Sequence, residues 1–446
     1  MQLGMEKTTV IGMGRTGIAA ANFLAAQKIP VTLIDAKPRT ELEEAIRTLD
    51  PAVHTSFGHS EPPADAERII LSPGVDIHAP FLQEALKRGV EIISEIELAS
   101  RFTKTPVIAV TGTNGKSTVT TLIGDILKRA GKKIAIGGNL GAPFIRLLRE
   151  EPVDYFVLEI STFQLEGVKT FHPRLAMILN ITPDHLDRHK TFEEYAALKG
   201  EIAACQTEED TLILNSDDKN TVDQGKNKSS RKFYFSMSRE VEEGVFLRNN
   251  IIVSRFNGKD KNLMPVRELK PAMQCQVENV LAAVAVTTLL GTPADDITGT
   301  IREFSGLGLE HRIEWVRTVR GIDFVNDSKG TNAGSVNKSL ASFSRPVILI
   351  AGGKDKGGDF RSLKSIFKKK VKHLVLIGET KNKFRQILNG SFSYEDAENM
   401  EDAVARAVNK AQPGDVVLLS PGCASFDMFK DYVERGDRFK DIVNRL

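Results

Sequence analysis

The run Gly112-Thr113-Asn114-Gly115-Lys116-Ser117-Thr118 has the residue types and spacing to hold a phosphate chain. It sits between an apolar stretch, Val107-Ile108-Ala109-Val110, and a helical pattern that continues to about residue 130. Glycines let backbone N–H groups turn toward phosphate oxygens, and a helix N-terminus adds partial positive charge. In that setting Lys116 reaches the β- and γ-phosphates and Ser117 supplies a hydroxyl to Mg²⁺. The strict phosphate-loop spacing needs a glycine at position 110, which is Val110 here, so the loop is a shortened relative, Gly-x-x-Gly-Lys-Ser. An ordinary strand–helix turn can also contain Lys-Ser. The strand before, the helix after and the Gly-Lys-Ser core together weigh against that reading.

Two further groups can complete a metal site. Glu159 is the one carboxylate in the apolar run Tyr155-Phe156-Val157-Leu158-Glu159-Ile160. An acid there is costly unless it is paired or bound to metal, so Glu159 is expected as a second Mg²⁺ ligand beside Ser117. The segment Asn180-Ile181-Thr182-Pro183-Asp184-His185-Leu186-Asp187-Arg188-His189 crowds two aspartates, two histidines and an arginine into one turn. His185 is the candidate ligand for a second magnesium. Lys199, in the helical stretch Tyr195-Ala196-Ala197-Leu198-Lys199, reads by pattern alone as a surface lysine.

A second glycine loop lies near the start. Gly12-Met13-Gly14-Arg15-Thr16-Gly17 follows an apolar strand run, and Asp35 closes the next strand about 20 residues on, which is a dinucleotide fingerprint. The same geometry holds any diphosphate on a ribose, a nucleotide-sugar diphosphate included. Gly14, Arg15, Thr16 and Asp35 are its candidate ligand contacts. Ser72, Pro73 and Gly74, at another strand end, can line the same crevice or form a plain turn. An NAD-dependent oxidoreductase is the rival reading; it leaves the second phosphate loop, Glu159 and His185 without a task.

These residues need rigid elements behind them. Short β-branched runs at 31–35, 68–72, 107–111, 155–160, 175–180, 347–352, 374–378 and 416–420 alternate with helical patterns, which predicts an α/β fold with mostly parallel sheets. Three blocks divide the 446 residues: 1–102, 103–306, and 307–446 after the Gly306-Leu307-Gly308 punctuation. The polar stretch 217–232 reads as a surface loop. A net charge of +2 argues against nucleic acid or an anionic membrane as partner. The three cysteines, Cys205, Cys275 and Cys423, lie far apart and form neither a metal motif nor a disulfide framework. The N-terminus lacks a signal core and no apolar run is long enough to span a bilayer, so a soluble, cytoplasmic chain without membrane insertion is expected, as a monomer.

The constellation resembles the Mur ligase family. The resemblance is carried by residues 112–118, by Glu159-Ile-Ser-Thr-Phe-Gln-Leu-Glu166, by residues 180–188, by Glu310-His311-Arg312, by Asn326-Asp327-Ser328-Lys329-Gly330-Thr331-Asn332, and by Ser420-Pro421-Gly422-Cys423-Ala424-Ser425-Phe426-Asp427. It runs through essentially the whole chain in the family's motif order. It implies a Rossmann-like N-terminal domain holding UDP-N-acetylmuramoyl-L-alanine, a central domain of phosphate-loop ATPase type for ATP and two Mg²⁺ ions, and a Rossmann-like C-terminal domain that brings D-glutamate. It further implies that Asn139 contacts the nucleotide-sugar, that Asn279, Arg312 and Asp327 contact ATP, and that Thr331, Lys356 and Ser425 surround D-glutamate. Tyr432 stands where other members carry Phe, and Lys354 is a second lysine in the Lys356 loop. Lys199 falls on the family's carbamylated lysine, a reading that replaces the surface one. The implied reaction is amide ligation through an acyl phosphate.

Overall fold

The computed structural model describes residues 6–446 apart from 151, 187, 275, 306–310, 344 and 389–391. The expected boundary at Gly306-Leu307-Gly308, together with Asp187, Cys275 and Glu310, lies outside the described residues. Among the described residues twenty strands form three sheets. The first contains β1 (Thr8–Ile11), β2 (Val31–Asp35), β3 (His54–Phe57), β4 (Arg68–Leu71) and β5 (Glu91–Ser94), in the order β3-β2-β1-β4-β5. Every pair is parallel. Parallel strands need crossovers that cover both faces, and β1 and β4 are accordingly buried at every position. Strand order reverses beside β1, so a crevice opens there at the carboxyl ends of the strands.

The second sheet contains β6 (Val107–Thr111), β7 (Ile134–Gly138), β8 (Tyr155–Glu159), β9 (Leu175–Ile178), β10 (Thr211–Asn215), β11 (Arg231–Ser236), β12 (Gly244–Arg248), β13 (Ile251–Phe256) and β14 (Lys259–Pro265). Their order is β14-β13-β12-β11-β10-β9-β6-β8-β7. The sheet is parallel from β7 to β12 and turns antiparallel at β13. Asn249 and Asn250, both at positive φ (51° and 59°), make the tight turn between β12 and β13, the backbone that two-residue hairpins need. The central strand β6 leads into the phosphate loop, with β8 and β9 on its two sides.

The third sheet contains β15 (Glu314–Val319), β16 (Ile322–Asn326), β17 (Val347–Gly352), β18 (Val371–Ile377), β19 (Tyr394–Asp396) and β20 (Val416–Leu419), in the order β15-β16-β20-β17-β18-β19. It is parallel except for β15, which runs antiparallel to β16 on the edge. Strand β17 shows why its sequence is an unbroken apolar run. Ile348 and Ile350 join one core with Val404 and Phe439 of the helices Met400–Lys410 and Tyr432–Asn444. Val347, Leu349 and Ala351 point to the other face, among Val336, Leu340, Phe367 and Phe384. Side chains that alternate between two buried faces leave no polar position.

The chain divides into two compact units. One comprises Met1–Ile181, Ala196–Leu263 and Glu278–Thr300, and the other Thr182–Tyr195, Met264–Val277 and Ile301–Leu446. Among the described residues no helix is long and apolar enough to cross a membrane. One expectation is corrected: residues 217–232 are not a loop throughout. They contain the helix Lys219–Gly225, and β11 starts at Arg231. The polar residues that suggested a loop include its cap, since the Asp218 carboxylate accepts the Asn220 N–H at 2.9 Å.

Candidate active site

In the first unit the phosphate loop joins β6 to the helix Lys116–Arg129. Gly112 and Gly115 hold φ of 148° and 90°, a region that glycine enters without strain. A side chain at Gly115 would also place its Cβ 2.4 Å from Asn279 Oδ1, and one at Gly112 would sit 2.9 Å from Leu179 Cβ. The loop is braced from the end of β9. The Asn180 carbonyl accepts the Thr113 N–H at 2.9 Å, and the Asn180 side chain accepts from the Asn114 N–H and donates to the Asn114 carbonyl. The Lys116 ammonium donates to the carbonyls of Gly112 and Thr113 at 2.8 and 3.0 Å, so the charge is held over the loop. The first helical turn carries no acidic residue, which leaves the positive helix end to an anion.

Strand β8 brings Glu159 to the same place. Its carboxylate is buried (1% exposed) and accepts the Ser117 hydroxyl at 2.6 Å and the Asn139 amide at 2.6 Å. The Asn139 N–H also donates to the Glu159 carbonyl at 2.8 Å. A serine hydroxyl and a carboxylate facing one another are hard oxygen donors of the kind Mg²⁺ takes alongside substrate phosphates. Among the described residues no group of three or more His, Cys, Asp or Glu is placed to hold a metal alone; an ion at this serine–glutamate pair needs phosphate oxygens or water to complete its shell. Lys199, in the helix Phe192–Gly200, is buried (2% exposed). That removes the surface reading of its pattern.

The N-terminal crevice is built by Gly12, Asp35 and Ser72. The Ser72 hydroxyl donates to the Gly12 carbonyl at 2.7 Å, and Asp35 accepts the N–H groups of Met13 and Lys37 at 2.6 and 2.9 Å. Gly17 is a packing glycine, for a Cβ there would lie 2.0 Å from the Gly12 carbonyl. Gly14, Arg15 and Thr16 open the helix Arg15–Ala26, and Pro73 and Gly74 follow β4 on the other side of the switch point. The Asp35 carboxylate braces the glycine loop itself, which fits a diphosphate cradle without requiring a nicotinamide ribose.

In the second unit the centre is Asp184. It is buried and accepts the Lys356 ammonium at 2.6 Å and the Asn332 amide at 2.9 Å. Burial alone would raise its pKa, but the Lys356 charge, the neighbouring His185 and the hydrogen bonds from Lys356 and Asn332 bring it down to about 2. A cavity of about 400 Å³ opens beside the pair, with Thr331 and Phe360 in its wall. Lys356 faces this cavity, whereas the Lys354 backbone is bonded to Ala424, which separates the two candidate lysines. His185 takes positive φ (52°) as its N–H turns back to the Asp184 carboxylate. Ser425 and Tyr432 do not line the cavity. Ser425 is buried, its carbonyl accepting from Met428 and Phe429. The Tyr432 ring lies 5.5 Å from the Lys329 ammonium.

Asp327 is fully enclosed, accepting the hydroxyls of Ser339 and Ser420 at 2.6 and 2.7 Å. Burial pushes its pKa up against these bonds and the Arg312 charge. Asp327 and Arg312 lie in the second unit with Thr331 and Lys356, while Asn279 lies in the first beside Gly115.

No local pattern marks a role for Asp184, because its partner is 172 positions away. Arg435 carries no sequence signal at all. This arginine is buried in the last helix and donates to the carbonyls of Cys423, Ala424 and Ser328, so it pins the 420–425 loop. Burial lowers its pKa to about 10. Replacing Asp184 by Asn leaves the Lys356 charge buried and uncompensated, a loss of about 3–5 kcal/mol. Thermal unfolding should therefore shift clearly downward at neutral pH. The folded pKa of Asp184 is depressed to about 2, so the pair's contribution is present above the unfolded value of ~3.9 and is lost as pH falls through the folded one. An unchanged midpoint at pH 7 would contradict the pairing.

Comparison with known proteins covers the whole chain. Residues 6–94 match the MurD-like N-terminal domain of Mur ligases, residues 110–287 the Mur ligase middle domain, and residues 311–423 the glutamate ligase domain of Mur ligases. The UDP-N-acetylmuramoylalanine--D-glutamate ligase of Alkaliphilus metalliredigens is 40% identical, covering 100% of this chain and 99% of its own length. The enzyme of the same name from Geotalea uraniireducens is 43% identical over the same shares. Among solved structures, a pseudomurein peptide ligase type C from Methanothermus fervidus superimposes with a TM-score of 0.62 at 18% identity, over 98% of this chain and 99% of that one. The UDP-N-acetylmuramate-alanine ligase of Thermotoga maritima gives 0.61 at 17%, over 99% of both. These structural likenesses speak for the fold alone.

Proposed function

The chain belongs to the Mur ligase family, and from that premise we propose how its residues divide the work. It is an ATP- and Mg²⁺-dependent ligase that joins D-glutamate to UDP-N-acetylmuramoyl-L-alanine in peptidoglycan synthesis. The observation that carries the chemical reading is the buried Ser117–Glu159–Asn139 network at the mouth of the phosphate loop. Residues 1–102 hold the nucleotide-sugar, with Gly14, Arg15, Thr16, Asp35, Ser72, Pro73 and Gly74 around its UDP part and Asn139 reaching it from the central domain. Residues 103–306 bind ATP, and residues 307–446 bring D-glutamate to Thr331 and Lys356; Ser425 and Tyr432, which the resemblance also assigns to it, lie outside the wall of that cavity. Asn279, Arg312 and Asp327 complete the nucleotide site. The chain acts as a monomer in the cytoplasm, where ATP is supplied.

The chemical problem is that a carboxylate resists attack by an amine. The alanyl carboxylate oxygen attacks the γ-phosphorus, the bond to ADP breaks, and an acyl phosphate forms. The D-glutamate amine, having lost its ammonium proton, then attacks the carbonyl carbon, and phosphate leaves with the electron pair of the C–O bond. Two anions must meet in the first step. The loop N–H groups and Lys116 hold the triphosphate and offset its charge where it grows. Mg²⁺, when bound, would supply further charge neutralisation; Ser117 and Glu159 would hold one ion, and the family resemblance gives His185 and Lys199 to the other. On the substrate side Lys356 offers a cation for a D-glutamate carboxylate, its charge shared with Asp184 until the ligand arrives. Water must be kept from the acyl phosphate, which closure around the bound ligands accomplishes.

Lys199 is proposed to act as its carbamate: the neutral amine adds CO₂, a proton is released, and the new group presents oxygens to magnesium. Its enclosed position supports this, because a buried side chain that presents oxygens inward suits a metal site better than a solvated surface ammonium would. Lys199→Ala should lose about 10²-fold or more in kcat and recover part of it with added short-chain carboxylates. Full activity without rescue would contradict the carbamate.

A further inference from the structure

We infer that Glu95 is a positioning residue, through which the N-terminal sheet holds the Asn139 loop in register with Glu159. The inference rests on the roles proposed above for Asn139 and Glu159. Glu95 opens the helix Glu95–Ser100 directly after β5. Three groups at this helix start reach out of the first sheet toward segments hung from the second. The Ser94 N–H donates to the Gly167 carbonyl at 3.0 Å. Glu97 accepts the N–H groups of Lys169, Thr170 and Phe171 and the Thr170 hydroxyl, all at 2.6–2.9 Å. Glu95 Oε1 accepts the Ile145 N–H at 2.6 Å.

The two glutamates differ in kind. Glu97 is fully partnered, and although burial works against it, those donors hold its carboxyl below the usual range. Glu95 is equally buried (1% exposed), yet Oε2 has no hydrogen-bond partner. Burial, opposed by the Ile145 N–H, lifts its pKa to about 7. The charged groups on the elements packed against it are Arg15, Arg146, Arg68 and Glu91, with Glu97 on its own helix and Arg101 just after it. Its shift is set by burial and the Ile145 N–H, not by any of these.

A buried carboxylate with a bare oxygen costs stability, and an apolar residue would fill the site more favourably. What Glu95 contributes is direction. Ile145 lies in the first turn of the helix Phe144–Leu147, which ends the loop leaving β7. That loop is closed by the Gly138 N–H on the Ala142 carbonyl at 2.8 Å, and it presents Asn139 to Glu159 by both backbone and side chain. One bond from the nucleotide-sugar end therefore fixes the segment that meets the Ser117–Glu159 pair.

Steady-state kinetics of the full-length enzyme test this. Glu95→Ala should raise KM for UDP-N-acetylmuramoyl-L-alanine on the order of tenfold and lower kcat, while KM for ATP stays within about twofold. Glu95→Gln keeps the acceptor oxygen, so it should restore most of the loss. A normal nucleotide-sugar KM in Glu95→Ala, an equal rise for ATP, or no recovery in Glu95→Gln would overturn the inference. Should Glu95→Ala fail to fold, Glu95→Met, which fills the site but offers no acceptor oxygen to Ile145, decides by the same KM comparison. Asn139→Ala separates the underlying readings. A raised KM there with a normal one in Glu95→Ala overturns the positioning role only, whereas a normal KM in both overturns the Asn139 assignment and the positioning role with it.

Discussion

Lys116→Ala is expected to lower kcat by about 10³-fold and to abolish acyl-phosphate formation, with little effect on folding. The Lys116 ammonium is held over the loop by two carbonyls of its own turn, so its removal takes away one local cation and leaves the glycine backbone and its Asn180 braces in place. Charge grows on the transferring phosphoryl group as the alanyl carboxylate approaches, and no other lysine or arginine lies within residues 112–118. A fixed cation at that point needs no reorganisation at the moment of reaction, which is why its loss falls on kcat more than on KM. Single-turnover transfer of labelled γ-phosphate to the nucleotide-sugar reads the step directly. Transfer at a near-normal rate would remove Lys116 from the phosphate site.

The second large effect is expected from Glu159→Gln. The substitution keeps size and an acceptor oxygen, and the Ser117 hydroxyl can reverse its role, so the network can re-form and the melting temperature should hold. The negative charge is gone, however, and Mg²⁺ gains much of its affinity from charge. The Mg²⁺ concentration for half-maximal activity should rise about 10–100-fold, with kcat reduced even at saturation. An unaltered Mg²⁺ titration would show that Glu159 is a structural acceptor for Ser117 and Asn139 and no metal ligand.

The strands were legible in the sequence because parallel sheets buried on both faces leave unbroken apolar runs. Val107–Thr111 and Val347–Gly352 lie where their patterns put them. The stretch 217–232 misled because Asp, Asn and Ser mark both loops and helix caps, and Asp218 serves as a cap. The phosphate loop and Glu159 were legible because glycine spacing and a lone acid in an apolar strand are local signals. Asp184 with Lys356, and Arg435 with the 420–425 loop, were not, since each pairing is a tertiary contact whose partners leave no periodic trace. Lys199 shows a further limit. A helical lysine reads as exposed until the surrounding fold buries it, and here only a family resemblance pointed inward.

The most direct test of the central claim is phosphate release from ATP with UDP-N-acetylmuramoyl-L-alanine as acceptor, measured against a panel of amino acids in both enantiomers. D-glutamate alone should trigger stoichiometric release, with one amide bond formed per phosphate and no release when the nucleotide-sugar is omitted. Release driven by L-glutamate or another amino acid, or release that does not need the nucleotide-sugar, would contradict it.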